Sequence, residues 1–329
     1  MKILVTGGTG FIGSHLVGHL LARGYHVRCL IRKESNRSYI DDKGVEFFYG
    51  DLLARESLEP AVKGIDCVVH LAAIQTGATG REQFLRVNVS GTKNLIEATY
   101  RFVPTLKKFV HVSSISAVGP RDNATPLTED SPCAPADHYG ESKLGAEQTV
   151  LDYRRKVPLI IIRPPLVYGP RDDNRFGVLR YAKIAKRGFR LMRADAEIYT
   201  SIIHVSDLCE GLIKAVETRN AAGEKYFLCN EHPTSCGDIS ALSAAALQRS
   251  VKEIVIPSII LDARSFVKGL YRKVTGNDDP GKRQGLKAGP QHWICDGAKA
   301  RRELDFEPAI PLSEGIKETV LWYQERGWL

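Results

Sequence analysis

The chain has 329 residues, enough to bury a large core and near the length at which one domain gives way to two. Hydrophobic residues make up 43% and charged residues 26%, a composition typical of soluble globular proteins that excludes a disordered chain. The net charge of +8 is spread along the sequence, with no basic stripe interleaved with aromatic residues, so nucleic-acid binding is not expected.

No segment has the length and apolarity of a signal peptide or a membrane span. The most apolar stretch, 157–167, is interrupted by Arg163, Pro164 and Pro165. The seven cysteines form neither a C-x-x-C pair nor a cluster with histidine at zinc spacing. An odd number of scattered thiols fits a reducing compartment, so we expect a cytoplasmic protein without a metal site.

Short apolar runs alternate with segments of helix-forming composition in the first half of the chain. The runs predicted as buried strands are 2–6, 27–31, 45–49, 67–71, 108–113 and 159–163. The segments predicted as helices are 14–23, 57–62, 88–103 and 140–155. This alternation predicts an α/β fold, a doubly wound parallel sheet covered by helices on both faces.

The alternation weakens after residue 169. An Arg/Lys-dense stretch, 171–193, precedes a predicted strand at 201–205, a helix at 207–217 and a strand at 226–229. We therefore expect a smaller, partly interleaved C-terminal lobe. The expected division gives 1–169 and about 201–217 to the first domain, and 170–200 and 218–329 to the substrate lobe.

A glycine-rich turn, TGGTGFIG, connects the first strand to the first helix. Its glycines at 7, 10 and 13 allow a tight turn and a close approach of backbone N–H groups to a phosphate at the helix N-terminus. A strand before the motif and a helix after it provide the context that such a motif requires. The turn predicts a site for the pyrophosphate of a dinucleotide.

The end of the second strand bears on which dinucleotide binds. Ile31 lies where an NAD-specific site needs a carboxylate for the ribose 2′-OH, whereas Arg32 and Lys33 offer cations to a 2′-phosphate. We expect NADP(H) to be preferred, with NAD(H) possible. A solvated charge run at a strand end is the alternative interpretation.

The stretch PADHYGESK places Tyr139 and Lys143 four residues apart, on one face if the stretch opens a helix. A nearby positive charge favours phenolate and lowers the pKa of a tyrosine from about 10. A phenol tuned in this way can exchange a proton with a substrate oxygen while hydride moves at the neighbouring carbon.

These motifs together resemble the extended short-chain dehydrogenases/reductases of the NAD-dependent epimerase/dehydratase family. The resemblance rests on TGGTGFIG, GDL (50–52), HLAA (70–73), Asn88, VSSIS (112–116), Y-x-x-x-K (139–143), RPPLVYGP (163–170), IHVSDL (203–208) and the C-terminal tail. The pattern is closest to the 3β-hydroxysteroid dehydrogenase and dihydroflavonol reductase branch. It implies a Rossmann-type sheet and covers nearly the whole chain.

The resemblance implies roles for individual residues. Tyr139 would donate or accept the proton, Lys143 would lower its pKa and bond the nicotinamide ribose, and Ser114 would complete a triad, with Ser113 as the alternative. Asp51 would bond the adenine amino group, and Asn88 would stabilise the sheet. The residues expected at the cofactor are Gly7, Gly10, Phe11, Ile12, Gly13, Arg32, Asp51, Leu52, Leu71, Ala72, Ala73, Ser113, Tyr139, Lys143, Pro164 and Leu166.

The sequence departs from relatives that act on sugar nucleotides. Leu166 stands where those enzymes carry an Asn, 200–202 lacks their Arg, and Ile115 and Ser116 replace the Asp-Glu of dehydratases. We therefore expect an NAD(P)-dependent oxidoreductase that interconverts a secondary alcohol and a ketone on a bulky small molecule. The alternatives are a nucleotide-sugar epimerase or dehydratase with retained NAD, and a non-catalytic NADP(H)-sensing protein.

Two sequence segments are relevant to the substrates and partners of the protein. The Arg/Lys stretch 171–193 is either a site for an anionic substrate group or a solvated helix face. The stretch 259–274 alternates apolar and basic residues, typical of a helix that packs on its own lobe or on a membrane. The resemblance implies a homodimer formed through helices such as 90–103 and 140–155.

Overall fold

The computed structural model describes residues 1–40, 44–75, 80–173, 177–193, 197–218, 223–256 and 291–329. At its centre lies a parallel sheet of seven strands. These are β1 (Lys2–Thr6), β2 (His26–Ile31), β3 (Val45–Tyr49), β4 (Cys67–His70), β5 (Lys108–Val112), β6 (Leu159–Arg163) and β11 (Glu224–Phe227). Their order across the sheet is β11-β6-β5-β4-β1-β2-β3, so the direction of winding reverses between β1 and β4. Dinucleotides bind at such a reversal, outside the carboxyl ends of the strands.

Helices cover both faces of this sheet. They are α1 (Phe11–Ala22), α2 (Leu58–Val62), α3 (Arg81–Phe84), α4 (Gly91–Phe102), α5 (His138–Leu151) and α7 (Val205–Glu217). Successive strand residues point to opposite faces, so Ile3 and Val5 pack with α1 and α7, whereas Leu4 packs with α2 and α4. Each fully buried side chain of this kind contributes about 1.5–3 kcal/mol.

Smaller sheets and helices form the rest of the described chain. The strands are β7 (Leu166–Tyr168), β8 (Phe189–Arg193), β9 (Tyr199–Thr200), β10 (Ile202–His204), β12 (Thr234–Ser235) and β13 (Lys252–Ile256). The helices are α6 (Val178–Lys186), α8 (Cys236–Ala246), α9 (Ala298–Leu304) and α10 (Leu312–Glu325). The strands pair as β7–β10, β9–β12 and β8–β13. Helices α6, α8 and α10 share a core that includes Tyr168, Ile239 and Ile316.

The first six strands confirm the sequence prediction to within one residue at each end. Helix α1 begins at Phe11, three residues before the expected start, because the glycine turn leads directly into its first turn. Helix α4 begins at Gly91 and follows a π-helical turn, Leu85–Ser90, that the sequence did not predict.

The expected domain boundary at 218 is wrong for one strand. β11 pairs in parallel with β6, with Tyr226 opposite Ile162, and so adds a seventh strand to the central sheet. The pairing satisfies the backbone groups at the edge of β6 and buries Tyr226 and Phe227.

Among the described residues, no helix is long and apolar enough to cross a membrane. The segment 259–274, expected as a basic amphipathic helix, lies outside the described residues.

Candidate active site

The glycine turn packs its backbone too tightly for side chains. Gly7 has a φ of +75°, and the Gly10 N–H donates to its carbonyl over 3.0 Å. A Cβ on Gly13 would lie 2.1 Å from the Gly7 oxygen, so only glycine fits there. The N–H groups of Phe11, Ile12 and Gly13 belong to the first turn of α1, where they have no intrahelical acceptor. A cradle of this shape and polarity fits the pyrophosphate of a dinucleotide.

The turn after β4 forms the other wall of this cradle. A Cβ on Gly7 would lie 2.8 Å from the Ala72 nitrogen, so β1 and β4 present their carboxyl ends to the same space. The Leu71 N–H donates to the Thr6 carbonyl over 3.1 Å. Leu71 and Ala72 are half-buried and Ala73 is exposed, which places all three expected residues at the reversal point of the sheet.

The buried His70, at the end of β4, links the end of β1 to helix α4. The Thr92 hydroxyl donates to the Asn88 carbonyl over 2.6 Å, which leaves Thr92 to accept from His70 Nε2 over 2.8 Å. His70 Nδ1 then accepts from the Thr6 hydroxyl over 2.7 Å. Burial and the Lys143 charge lower the pKa of His70 to about 3, so the ring is neutral and keeps this tautomer.

The residues expected near the adenosine lie beyond β2 and β3. Arg32 is exposed and forms a surface ion pair with Glu34 over 3.2 Å. One Asp51 oxygen accepts from the Leu53 N–H over 2.8 Å, which fixes the turn after β3. The Leu52 side chain is buried in the core beneath Gly91, so only its backbone can face a cofactor.

Tyr139 lies in the first turn of α5. The Asp137 carboxylate caps this helix by accepting from the Gly140 N–H over 2.7 Å. A Cβ on Gly140 would lie 2.3 Å from the Ser116 carbonyl oxygen, so the helix start packs directly on the turn after β5. This contact brings the phenol of Tyr139 within hydrogen-bond reach of the Ser114 hydroxyl.

The pKa of Tyr139 differs from the sequence prediction. Burial raises it to about 12, and the hydrogen bond with Ser114 acts in the lowering direction without overcoming burial. Lys143 was expected to lower this pKa, but it is not among the groups that shift it. Tyr139 is therefore a protonated phenol at neutral pH.

Lys143 lies one helical turn further along α5 and is buried. Its Nζ donates to the Val112 carbonyl at the end of β5 over 2.6 Å. Burial lowers the pKa of Lys143 to about 8, while the Glu147 carboxylate acts in the raising direction. Burial of the His111 ring, together with the Lys143 ammonium, keeps the pKa of His111 well below the usual value for a histidine.

Sequence reasoning missed the group that supports these residues. Arg163 and Glu147 form a two-pronged ion pair over 2.7 and 2.9 Å, and neither is more than 1% exposed. The Ser113 hydroxyl donates to the same carboxylate over 2.5 Å. The spacing of Glu147, four residues after Lys143 and eight after Tyr139, was the available signal, because it puts all three on one helix face.

This ion pair also engages the Ser113 side chain. Its side chain is buried against Glu147, on the opposite side of the strand from Ser114, since neighbouring residues of a strand alternate. Ser114 is the hydroxyl that acts on the pKa of Tyr139, whereas the Ser113 hydroxyl is already used by Glu147, and a cofactor contact of Ser113 stays a prediction.

Asn88 was expected to stabilise the sheet, and it joins the turn after β4 to α5. Its side chain exchanges two hydrogen bonds with the Ile74 backbone, over 2.8 and 3.0 Å, and donates to the Ser142 hydroxyl over 2.9 Å. Ser142 donates in turn to the Tyr139 carbonyl over 2.7 Å. Asn88 lies in the π-helical turn, a feature frequent at functional sites.

Two expected cofactor residues lie on the segment after β6. The Pro164 carbonyl accepts from the Ile115 N–H over 2.9 Å, which ties this segment to the turn that carries Ser114. Leu166 opens β7 and is half-buried opposite Ile202.

A cavity of about 620 Å³ lies away from these residues. Segments 230–234 and 307–312 line it, together with Asp238 and Arg301. None of its lining residues belongs to the glycine turn or to the group of Ser114, Tyr139 and Lys143.

Comparisons with known proteins agree with this arrangement. Residues 3–229 match the family described as "NAD dependent epimerase/dehydratase family". The chain is 30% identical over 340 residues to the 4-hydroxy-2-methyl-3-oxo-4-farnesyl-3,4-dihydroquinoline-1-oxide ketoreductase of Stigmatella aurantiaca, covering 96% of this chain and 95% of the relative. It is 29% identical over 336 residues to the decarboxylating sterol-4-alpha-carboxylate 3-dehydrogenase of Mus musculus, covering 97% and 90%.

Solved structures give the same result for the fold. The UDP-glucuronic acid 4-epimerase of Bacillus cereus in complex with NAD superposes with a TM-score of 0.78, at 25% identity, and 99% of each chain is covered. The chain belongs to the NAD dependent epimerase/dehydratase family, in the extended short-chain dehydrogenase/reductase branch that contains the 3β-hydroxysteroid dehydrogenases, and is an NAD(P)-dependent oxidoreductase.

Proposed function

We propose that the protein interconverts a secondary alcohol and a ketone on a bulky, largely apolar small molecule, with Ser114, Tyr139 and Lys143 as its catalytic residues. The observation that carries this proposal is the packing of the start of α5, which carries Tyr139, directly on the turn after β5, which carries Ser114, at the same edge of the sheet as the glycine cradle. The relatives named for a farnesylated ketone and for a sterol carboxylate support an apolar substrate class.

Side chains of the protein transfer the proton that the reaction requires. In the reductive direction Tyr139 donates its proton to the substrate oxygen, and the Ser114 hydroxyl bonds that oxygen as negative charge develops. We assign the buried Lys143 ammonium to the hydroxyls of the nicotinamide ribose. The nicotinamide cofactor supplies the hydride in this direction and accepts it in the other.

The test is a panel of bulky ketones assayed by loss of NADPH absorbance. Tyr139→Phe should lower kcat by at least about 100-fold, since it removes the proton donor but keeps the ring. Ser114→Ala should lower it by about 10- to 100-fold, whereas Ser113→Ala should stay within about threefold of the parent enzyme. Equal losses in the two serine variants would contradict the assignment of Ser114.

We further propose that NADP(H) is the preferred cofactor. The ion pair of Arg32 with Glu34 is solvent-exposed and therefore weak, so the guanidinium can turn to a 2′-phosphate at little cost. Replacing Arg32 and Lys33 by serine should lower kcat/KM for NADPH by about tenfold or more and leave that for NADH unchanged. A parent enzyme with higher kcat/KM for NADH would refute this preference.

We also propose that the protein is a homodimer in the cytoplasm. Helix α4 carries Tyr100, a large side chain that is 47% exposed beside Tyr153, which supports association through α4 and α5. The seven cysteines are free thiols, as a reducing compartment would maintain them. Light scattering on the eluted protein should give twice the chain mass, and Tyr100→Glu should halve it.

A nucleotide-sugar epimerase with retained NAD is the competing function, because an epimerase shares the fold. It predicts that NAD co-purifies with the protein and that UDP-sugars raise the melting temperature. Leu166 and Thr200 offer no charged group to a sugar diphosphate, so we expect neither result.

A further inference from the structure

One segment of the smaller lobe is rich in positive charge and lacks acidic residues. Residues 177–193 contain six arginines and lysines and no acidic residue. Arg180, Lys183 and Lys186, three residues apart along α6, are all exposed, whereas Val178 and Ala185 are buried.

Hydrogen bonds place two further cations beside this helix. The Arg249 guanidinium donates to the Lys186 carbonyl over 3.1 Å, and the Lys252 N–H donates to the Gly188 carbonyl over 2.9 Å. Arg187, between these contacts, is exposed as well. The result is one continuous cationic surface.

Acidic residues do not neutralise this surface. Glu253 pairs with Arg190 over 3.1 Å, which leaves the exposed cations unaffected. Asp238 bonds to Ser235 in the capping box of α8, over 2.8 Å. The remaining exposed charges on α6 and at the start of β13 are positive.

Large apolar side chains stand in the same surface. Phe189, Ile254 and Val255 are 40%, 42% and 56% exposed, and they are three of the seven exposed large apolar residues in the described chain. Phe189 lies opposite Lys252 in the parallel β8–β13 pair, and Ile254 follows two residues later on the same face. Phe189, Lys252 and Ile254 therefore share one face of the pair, whereas Val255 points to the other face.

We propose that this basic–apolar patch, formed by the exposed cations of α6, Arg187, Arg249 and the face of the β8–β13 pair that carries Phe189, Lys252 and Ile254, docks on an anionic lipid bilayer. Anionic headgroups attract the lysines and arginines, and the apolar side chains enter the boundary between headgroups and acyl chains. A single-stranded nucleic acid fits less well, because Ile254 offers no ring on which bases can stack, and Phe189 is the one aromatic residue of the patch.

The experiment is flotation of the full-length protein with vesicles, without substrate or cofactor. Vesicles of phosphatidylcholine containing phosphatidylglycerol should carry the protein, and vesicles of phosphatidylcholine alone should not. Raising the salt concentration should weaken binding, since it screens the charges. Because catalysis is not measured, the result is independent of the proposed function.

Two variants separate the components of the patch. The triple change Lys183→Glu, Lys186→Glu and Arg187→Glu should lower the partition coefficient more than about tenfold, because each cation near an anionic surface contributes about a fivefold factor. Phe189→Ser with Ile254→Ser should abolish the part of the binding that resists salt. Both variants should keep the circular-dichroism spectrum of the parent protein, which shows that they fold.

The matched control reverses the same number of charges elsewhere. Arg154, Arg155 and Lys156 are exposed after α5, and changing all three to glutamate should leave flotation within about twofold. Equal losses in the two triple variants would show that overall charge, not this patch, drives binding and would overturn the proposal. It would also fail if the parent protein bound single-stranded RNA but not anionic vesicles.

Discussion

Burial acts on both titratable residues of the candidate triad, in opposite senses. It raises the pKa of Tyr139 to about 12, which keeps the phenol protonated, and lowers the pKa of Lys143 to about 8, which makes the ammonium easier to lose. The tyrosine is therefore ready to donate a proton at neutral pH, while the lysine charge that we assign to the nicotinamide ribose is near its titration point.

This difference predicts the pH dependence of ketone reduction. Activity should be constant between about pH 6 and 7 and fall as pH rises through about 8, because Lys143 loses its charge there. Lys143→Arg, whose guanidinium stays charged, should react more slowly but lose this alkaline limb. A pH profile of kcat with the same limb in the arginine variant would exclude Lys143 as its origin.

The same shift predicts a gain of stability when the lysine is removed. The folded-state pKa of Lys143 lies below its unfolded value, so its charged form destabilises the fold below about pH 8, and this cost is relieved as pH rises towards 10.5. Lys143→Met should raise the free energy of unfolding at pH 7 by about 1–3 kcal/mol while abolishing turnover. Urea denaturation measures this, and a loss of stability would show that the lysine is structural.

Among the elements, the β1–α1 turn depends on its glycines, and α1 itself contains the control. Gly13→Ala should abolish cofactor binding and cost more than about 2 kcal/mol, since its Cβ would meet the Gly7 oxygen at 2.1 Å. Gly18→Ala, at a position of the same helix with nothing within 4 Å, should stabilise the protein by about 0.5–1 kcal/mol. Calorimetry and cofactor titration of the two variants provide the test.

The Glu147–Arg163 pair joins α5 to β6 beneath the site. Glu147→Gln should cost about 3–5 kcal/mol, because it leaves the buried guanidinium of Arg163 without its counter-charge. Ser113→Ala, which removes one hydrogen bond to the same carboxylate, should cost about 1–2 kcal/mol. The glutamine variant should also move the alkaline limb to lower pH, since Glu147 acts to raise the pKa of Lys143.

The sequence could predict the features that depend on neighbouring residues, but not those that depend on contacts between distant segments. The strands, the glycine turn and the 139–143 spacing are local patterns, and the structure contains the strands and the turn where they were expected. The pairing of β11 with β6 and the choice between Ser113 and Ser114 depend on contacts between distant segments. The pKa of Tyr139 was expected in the wrong direction, because burial in the folded chain outweighs a charge that sequence spacing alone suggests.

At the scale of the whole molecule, the sheet assembles the site from distant segments. The carboxyl ends of β1 and β4 hold the cofactor cradle, the turn after β5 holds Ser114, and α5 sets Tyr139 and Lys143 beside it. In the smaller lobe, Leu166 places an apolar side chain where a sugar-nucleotide enzyme carries an amide.

The most direct test of the central claim follows a deuterium atom. The protein is incubated with NADPH that carries deuterium at C4 and with a bulky ketone, and the alcohol is analysed by mass spectrometry. We expect one deuterium at the carbinol carbon with the parent enzyme and none above background with Tyr139→Phe. Transfer at the parent rate in that variant, or no transfer to any ketone together with epimerisation of a UDP-sugar, would contradict it.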